Sequence, residues 1–274
     1  MEDHIFLVDC GEGTQMQMAK YKIRRSKINH IFISHLHGDH YFGLIGLLTS
    51  MGLLGRTQEL HIYSPAVLKD IIGLQLKVAD IHLPYPLHFH ALEGAGPIVR
   101  EARFEVSCFP VYHRIECWGF RFREIRPFRR VNPEKARQHE VPSSFFDRLK
   151  WGESYLKKDG NIVENQWVTE PSAKAKSYAY SADTLYDERI VEHVKDVDLL
   201  YHETTYLKEL QEQAGKRFHS TTIQAATIAL KAGAHRLLIG HFSSKYEKLQ
   251  AFEVEAREIF PNTDLALEGV TYKV

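Results

Sequence analysis

The stretch Ser34 to Gly43, SHLHGDHYFG, sets three histidines and an aspartate within six positions, His35, His37, Asp39 and His40, directly behind the apolar run Ile28 to Ser34. That run, INHIFIS, is β-branched and apolar and reads as a buried strand. In an extended segment residues i and i+2 project the same way, so His35 and His37 share a side where the chain leaves the sheet. Asp39 and His40 fall at the expected start of the next helix, from which they can turn back toward the same point. The set offers imidazole and carboxylate and no thiolate, a donor chemistry that suits zinc or a similar divalent ion with positions left open for water. One histidine in a loop is usually a satisfied polar group, but four ligand-type residues in six positions are not explained that way.

One cluster cannot complete two coordination spheres. Folds of the α/β class build their sites from the loops that follow strands, so further ligands are expected at other strand ends. Three positions fit: His113 after the strand ending at Val111, Asp183 after YAYS (Tyr178 to Ser181), and His241 after LLIG. Each alone is weak. Together they bring the set to five histidines and two carboxylates, enough for two zinc ions (Zn2+) with Asp183 as the bridge.

The remaining pattern is α/β. Strands are expected at Ile5 to Val8, Leu60 to Tyr63, Leu87 to Leu92, Ala102 to Val111 and Trp118 to Phe122. Helices are expected from the turn at Asp9 to Gly13 through about Tyr21, and over Tyr41 to Met51 and Ala66 to Val78. Later come strands at Ser177 to Ser181, Val197 to Tyr201, Arg236 to Gly240 and Asp264 to Leu267. They alternate with helices at Tyr186 to Val194, Ser220 to Ala232 and Leu249 to Ile259, and Gly233 stands just past the end of the second of these. Between about 123 and 176 the periodicity breaks. That segment is polar, basic and aromatic and reads as an inserted arm rather than core, and a loop of such length in a compact domain is usually functional. The expectation is one domain over residues 1–274 carrying this arm.

Composition narrows the function classes. Thirty-five Lys and Arg balance thirty-five Asp and Glu, so global charge does not point to nucleic acid. Two local patches do: Lys20 to His30 has five Lys/Arg and no acid, and Arg121 to Arg137 has seven against Glu124 and Glu134. Either patch alone also reads as an ordinary solvated face. Cys10, Cys108 and Cys117 are widely spaced and form no C-x-x-C, which argues for a reducing compartment, the cytoplasm. No apolar run approaches the roughly 18 residues of a membrane span, and the first residues lack the pattern of a signal peptide.

The order HLHGDH, His113, Asp183, His241 resembles the metallo-β-lactamase fold, a four-layer αβ/βα sandwich. More narrowly the chain resembles the ribonuclease Z family, endonucleases that mature tRNA 3′ ends. DCGEGTQ (Asp9 to Gln15) is similar to the family's early loop, HETT (His202 to Thr205) to its HEAT motif, HST (His219 to Thr221) to a further motif, and GHFSSKY (Gly240 to Tyr246) to its final ligand strand. The resemblance covers nearly the whole chain. It implies one metal held by His35, His37 and His113, another held by Asp39, His40 and His241, and Asp183 between them. It implies that Asp39 also deprotonates the attacking water and that His219, oriented by Glu203, protonates the leaving 3′ oxygen. His202 is expected to be a supporting or core group. The cut expected is 3′ of the discriminator nucleotide, leaving a tRNA 3′-hydroxyl and a trailer 5′-phosphate. Arg126, Arg129, Arg130, Lys150, Lys157 and Lys158 of the arm are expected to contact tRNA phosphates, positioning without reading sequence. The partners implied are precursor tRNA and a second copy of the chain as a homodimer, with no membrane and no DNA.

The sequence departs from the family pattern in places. Only nine residues precede Cys10, where the family opens with a strand and a Gly-rich turn, so about thirty residues, the first strand among them, are expected to be missing. VPSSFF (Val141 to Phe146) stands where the arm usually carries a Gly-Pro motif, and PFRRVN (Pro127 to Asn132) where the family has Pro-x-Lys-x-Arg-Asn. Two other readings compete. One is a hydrolase of the same fold acting on a small substrate: a phosphodiesterase, arylsulfatase, thioesterase or lactonase. The other is a zinc-stabilised RNA-binding protein with a decayed centre, against which all seven ligand-type residues, Glu203 and His219 are present.

Overall fold

The computed structural model describes residues 4–274. It divides into two compact units: one runs to Arg123 and resumes over Ser177–Val274, the other is Glu124–Lys176.

In the larger unit a four-stranded sheet runs in the spatial order Ile5–Val8, Ile28–Phe32, Leu60–Ser64, Leu87–Ala91, every pair parallel. Parallel neighbours need crossovers, supplied here by the helices Thr14–Lys20, Leu44–Leu53 and Leu68–Val78. The second sheet has seven strands in the order Thr263–Leu265, Leu237–Gly240, Leu199–Glu203, Ser177–Tyr180, Cys117–Glu124, Phe104–Val111, Gly96–Arg100. Its first four strands are mutually parallel, and Ser177–Tyr180 meets Cys117–Glu124 antiparallel.

Side chains alternate across each strand, and this sorts the apolar residues into three cores. Ile31, Ile33, Leu60 and Ile62 face Leu44, Leu47, Leu48 and Ile72 of the helices on one side. Phe32 and Tyr63 face the other way and meet Phe104, Val106, Trp118, Phe120 and Phe122 of the second sheet. Phe109, Ala179, Leu200, Leu237 and Ile239 pack on Ala225, Ala226, Ala229 and Phe252 of the helices Thr222–Ala232 and Gln250–Arg257. The result is helix, sheet, sheet, helix. All the ligand-type residues named above follow the C-terminal ends of strands, which is where such sheets open a crevice.

Two local devices set the site. The loop after Ile5–Val8 lies on the short helix Gly38–Tyr41: the Cys10 N–H donates to His40 O at 2.7 Å and the Gly43 N–H to Cys10 O at 2.9 Å. A side chain at Gly43 would overlap Gly11 O, and one at Gly11 would overlap Asp39 O, so the approach requires glycine on both sides. The helix Thr222–Ala232 opens with a capping box of Thr221 and Gln224 and closes on Gly233 at φ 62°, which fixes its start directly behind His219 and Ser220.

The unit Glu124–Lys176 is not the structureless loop that its sequence suggests. Strands Arg129–Val131 and Thr169–Pro171 pair antiparallel, as do Tyr155–Leu156 and Ile162–Val163. Ala136, Val141, Leu149, Val163 and Val168 form its own core. The Asn165 side chain donates to Leu149 O and Glu153 O, both at 2.8 Å, tying the segment across its width. Its apolar residues follow neither a 3.6 nor a 2 period, so pattern reading passes over them. The strand Gly96–Arg100 and the helix Gln211–Arg217 also escaped that reading: the first is an edge strand carrying Gly96 and Pro97, and the second buries Ala214 alone. The helix expected over Tyr186 to Val194 is the single turn Ile190–His193.

Gly43→Ala is expected to lower the unfolding free energy by about 1–3 kcal/mol, since a close backbone approach must open. Gly73→Ala in the helix Leu68–Val78, where a new methyl meets open space, is expected to raise it by about 0.5–1 kcal/mol. Denaturant titration of the metal-free chain checks both signs.

Candidate metal centre

The structure brings His35, His37, Asp39, His40, His113, Asp183 and His241 to one place. Four trios have ligand atoms within 4.8 Å of one another: His35, His37 and His113; His35, His40 and Asp183; Asp39, His40 and His241; and Asp183, His219 and His241. His37 Nδ1 stands 3.0 Å from His35 Nε2 and 3.2 Å from His113 Nε2. On the other side Asp183 Oδ2 lies 3.3 Å from His241 Nε2, 3.5 Å from His40 Nε2 and 3.9 Å from His35 Nε2. Asp39 Oδ2 is 3.5 Å from His40 Nε2 and 3.8 Å from His241 Nε2, and 64% of its side chain is exposed, whereas Asp183 is buried. Asp183 therefore sits between the two groups and Asp39 faces solvent.

Four of the five imidazoles are oriented by their second nitrogen. His40 Nδ1–H donates to Asp9 Oδ2 at 2.8 Å and His113 Nδ1–H to Phe218 O at 2.9 Å. Ser34 Oγ donates to Asp9 Oδ2 at 2.9 Å and so accepts from His35 Nδ1–H at 3.0 Å. Thr205 Oγ1 donates to Glu203 Oε2 at 2.9 Å and so accepts from His241 Nδ1–H at 2.8 Å. These partners fix four tautomers with the Nε2 lone pair turned inward, and His37 alone presents Nδ1. His40 Nε2 is buried with no hydrogen-bond partner, an orphan that a cation would satisfy. Nitrogens and carboxylate oxygens converging without thiolate, one of them orphaned, fit divalent metal ions.

The electrostatics carry the same mark. Burial pushes His35 down to about 3, with His40 adding to the effect. Burial also acts to lower His40 and His241, but the carboxylates around them win. The carboxylates of Asp183 and Asp39, each 3.5 Å from Nε2, and the hydrogen bond to Asp9 raise His40 to about 12, and Asp183 with Asp39 raises His241 to about 9. The imidazoles of His241 at 3.8 Å and His40 at 3.5 Å hold Asp39 well below the usual carboxylate range. Burial raises Asp183, but the charges of His241 and His40 outweigh it and leave its pKa low.

Glu203 and His219 lie beside this cluster. His219 Nδ1 is 2.9 Å from Glu203 Oε1, and its ring stands 5.2 Å from that of His113 and 5.3 Å from that of His241. Glu203 is fully buried and accepts backbone N–H groups from Thr184, Thr205 and Ser220 besides the Thr205 hydroxyl. His202 is buried on the opposite side of the strand, with Nδ1 2.8 Å from Glu203 O and Nε2 unpartnered. Of the six arm cations, Arg126 pairs with Glu124 at 2.6 Å, Arg130 with Glu170 at 2.9 Å, Lys150 with Asp147 at 2.8 Å and Lys157 with Glu140 at 2.6 Å. Arg129 donates to Thr169, and Lys158 is exposed.

The sequence reading gave no role to Asp9, Ser34, Thr205, Tyr180 or the Phe218 carbonyl. Asp9 accepts from the Ser34 N–H, the Ser34 hydroxyl, His40 and the Tyr180 hydroxyl, all at 2.8–2.9 Å. The signal available was an aspartate directly after a strand, the same cue that drew attention to Asp183. A second cue is conformational. Asp9, Ala182, Phe218 and His241 have φ of 58°, 54°, 61° and 59°, a left-handed backbone that costs a non-glycine residue about 1–2 kcal/mol and gathers here around one site.

Asp9→Ala strands four donors and is expected to weaken metal binding about 10–100-fold, measured by chelator competition; an unchanged affinity would contradict the role given to Asp9. At pH 7 the metal-free chain keeps protons on His40 and His241 that a metal must displace. Metal loading is therefore expected to release protons, read by calorimetry in buffers of different ionisation enthalpy, and the apparent affinity should rise with pH. For His241, raised from 6.5 to about 9, the sign of the stability term follows. It is fully present below about pH 6.5 and lost as pH climbs through about 9, so the metal-free chain should lose stability over that window.

Comparison with known proteins places this geometry. The chain is 42% identical over 272 residues to a ribonuclease Z of Bacteroides thetaiotaomicron, covering 98% of this chain and 86% of the relative. It is 39% identical to a ribonuclease Z of Nostoc punctiforme, again covering 98% of this chain and 86% of the relative. Among solved structures, human tRNase Z, short form, superposes with a TM-score of 0.65 at 26% identity, over 89% of this chain and 84% of that one. The metallo-β-lactamase-fold protein YhfI of Bacillus subtilis gives 0.66 at 20% identity, over 98% and 86%, a likeness of fold. A sequence profile described as Anti-Pycsar protein Apyc1 matches residues 1–79. The fold is that of the metallo-β-lactamases, and on near-full-length identity the chain belongs to the ribonuclease Z family.

Proposed function

We propose that this chain is a zinc-dependent endoribonuclease that removes the 3′ trailer of precursor tRNA, cutting 3′ of the discriminator nucleotide to leave a tRNA 3′-hydroxyl and a trailer 5′-phosphate. The observation that carries the proposal is His219 held at 2.9 Å by buried Glu203 beside the seven ligand-type residues. His35, His37 and His113 would hold one ion and Asp39, His40 and His241 the other, with Asp183 placed to serve either. Two zinc ions, when bound, supply a hydroxide nucleophile at neutral pH and neutralise the charge of the scissile phosphate.

The protein's own groups move the protons. Asp39, ionised and open to solvent, accepts the proton of the attacking water. The departing ribose 3′ oxygen is a poor leaving group and needs an acid. His219 gives it a proton from Nε2, while Glu203 at Nδ1, 2.9 Å away, holds the ring in place.

The unit Glu124–Lys176 supplies the grip on tRNA. It carries eleven Lys and Arg against eight Asp and Glu. Surface pairs such as Arg130 with Glu170 are worth about 0–1 kcal/mol, so phosphates can replace the carboxylates at little cost. Arg126, Arg129, Arg130, Lys150, Lys157 and Lys158 meet the backbone of a folded RNA, recognised by shape. Exposed Phe128 and Trp151, in edge-to-face contact at 5.5 Å, offer it an aromatic surface. The enzyme acts as a homodimer in the cytoplasm. No helix of the described residues is long and apolar enough to cross a membrane.

The proposal is tested by comparing a 3′-extended precursor tRNA with bis(p-nitrophenyl) phosphate. Asp39→Ala should abolish turnover of both. His219→Ala should lower kcat on precursor tRNA by about 10²–10⁴-fold while sparing the nitrophenyl ester, whose leaving group needs no proton. Arg129→Ala/Arg130→Ala/Lys158→Ala should raise KM for the tRNA alone. A specificity constant for precursor tRNA no higher than for the small ester would instead favour a small-substrate hydrolase.

A further inference from the structure

The loop 112–116 joins the strands Phe104–Val111 and Cys117–Glu124 at the rim of the metal centre. It is pinned along its length. The Leu185 N–H donates to Tyr112 O at 2.7 Å, the Tyr112 N–H to Thr184 Oγ1 at 3.2 Å and the Trp118 N–H to Ser34 O at 3.0 Å, while the His113 ring is held by Phe218 O. His113 is thereby buried in the site, and the next residue, Arg114, is exposed beside it.

Arg114 has no carboxylate partner among the described residues. The polar contact of its side chain is with His37, whose Nε2 lies 3.5 Å from Arg114 Nη2. Its neighbours along the chain do have oxygen partners: Arg121 meets His193 O and Lys195 O, and Arg123 meets Glu105. Glu116, the nearest acid in sequence, accepts instead from the Trp118 indole at 2.8 Å. The long contact with His37 is no substitute. His37 turns Nδ1 to His35 and His113, so when Nδ1 serves as a ligand the neutral ring keeps its proton on Nε2, and two donors face each other. An exposed guanidinium fork without an acceptor of its own matches a phosphate, which it can hold by two parallel hydrogen bonds.

Two placements decide which phosphate. The guanidinium stands at Nε2 of His37, not at the nitrogen turned to His35 and His113, so an imidazole ring separates it from the atoms that would hold the scissile group. Within the cluster, His37 belongs to the trio with His35 and His113, whereas His219 groups with Asp183 and His241. With the leaving 3′ oxygen at His219, the strand that continues from the other side of the scissile phosphate runs toward His37. We propose that Arg114 binds the phosphate one nucleotide 3′ of the cut and so sets the register of the trailer. The proposal rests on the reading that His219 protonates the leaving 3′ oxygen. Such a contact positions a polynucleotide without reading its sequence, and a substrate with a single phosphodiester cannot use it.

The test uses the full chain loaded with zinc and a pair of nucleotides. Thymidine 5′-phosphate carries only the phosphate at the cut, and thymidine 3′,5′-bisphosphate adds the next one. In calorimetric titration wild type is expected to bind the bisphosphate about 10-fold more tightly, the order of one charge-assisted contact at an open site. Arg114→Ala should bring that ratio to about one, and Arg114→Lys, which keeps the charge without the fork, should retain part of it. Equal affinities in wild type overturn the proposal. So does an Arg114→Ala chain in which both nucleotides weaken together, zinc content falls and the ratio survives, since Arg114 would then only support His37. The same ratio, read as specificity constants on thymidine 5′-(p-nitrophenyl phosphate) with and without a 3′-phosphate, separates this proposal from the tRNA reading. An Arg114-dependent preference in a chain that leaves precursor tRNA uncut upholds the phosphate site and refutes the substrate alone.

Discussion

The carboxylate of Asp9 is the point on which the site depends. It accepts hydrogen bonds from the Ser34 backbone and hydroxyl, from His40 and from Tyr180, and so joins the ends of three strands that the chain places far apart. Charge-assisted bonds to a partly buried carboxylate are about twice as strong as neutral ones. Losing the acceptor would leave four donors to be desolvated without return. Asp9 holds its place at φ 58°, a conformation sustained by its N–H donating to Phe32 O and by the Cys10 and Gly11 backbone packed on the helix that carries Asp39 and His40.

A second carboxylate repeats the arrangement across the site. Asp9 touches His40 directly and reaches His35 through the Ser34 hydroxyl; Glu203 touches His219 directly and reaches His241 through the Thr205 hydroxyl. The hydroxyl relay fixes a tautomer without adding a formal charge to the imidazole's side, which suits a ring that must present a lone pair. Direct contact with a carboxylate orients the other two rings, His40 and His219. In the function proposed above, the first unit would serve coordination and the second acid catalysis.

How much of this was legible in the sequence follows from how local each signal is. HLHGDH is dense enough to be read unaided. His113, Asp183 and His241 were reachable because a strand end is a cue that periodicity supplies. The same reasoning passed over Asp9, which also ends a strand, because a lone aspartate before glycines reads first as a turn residue. Ser34 and Thr205 were invisible, since a hydroxyl declares its role only through the partners that tertiary structure brings to it. That Glu203 meets His219 across sixteen residues was available only through resemblance to a family, and the contact itself belongs to the fold. The small core around Leu149 was missed because five buried side chains spread over short, irregular elements leave no period to detect.

The central claim is that the loops converge on two metal ions with Asp183 between them. Anomalous diffraction at the zinc edge, from crystals of the zinc-loaded chain, tests it most directly. The account predicts two strong peaks within the site, one against His35, His37 and His113, the other against Asp39, His40 and His241, with a carboxylate oxygen of Asp183 touching both. A single peak there, or two peaks neither of which contacts Asp183, would contradict it.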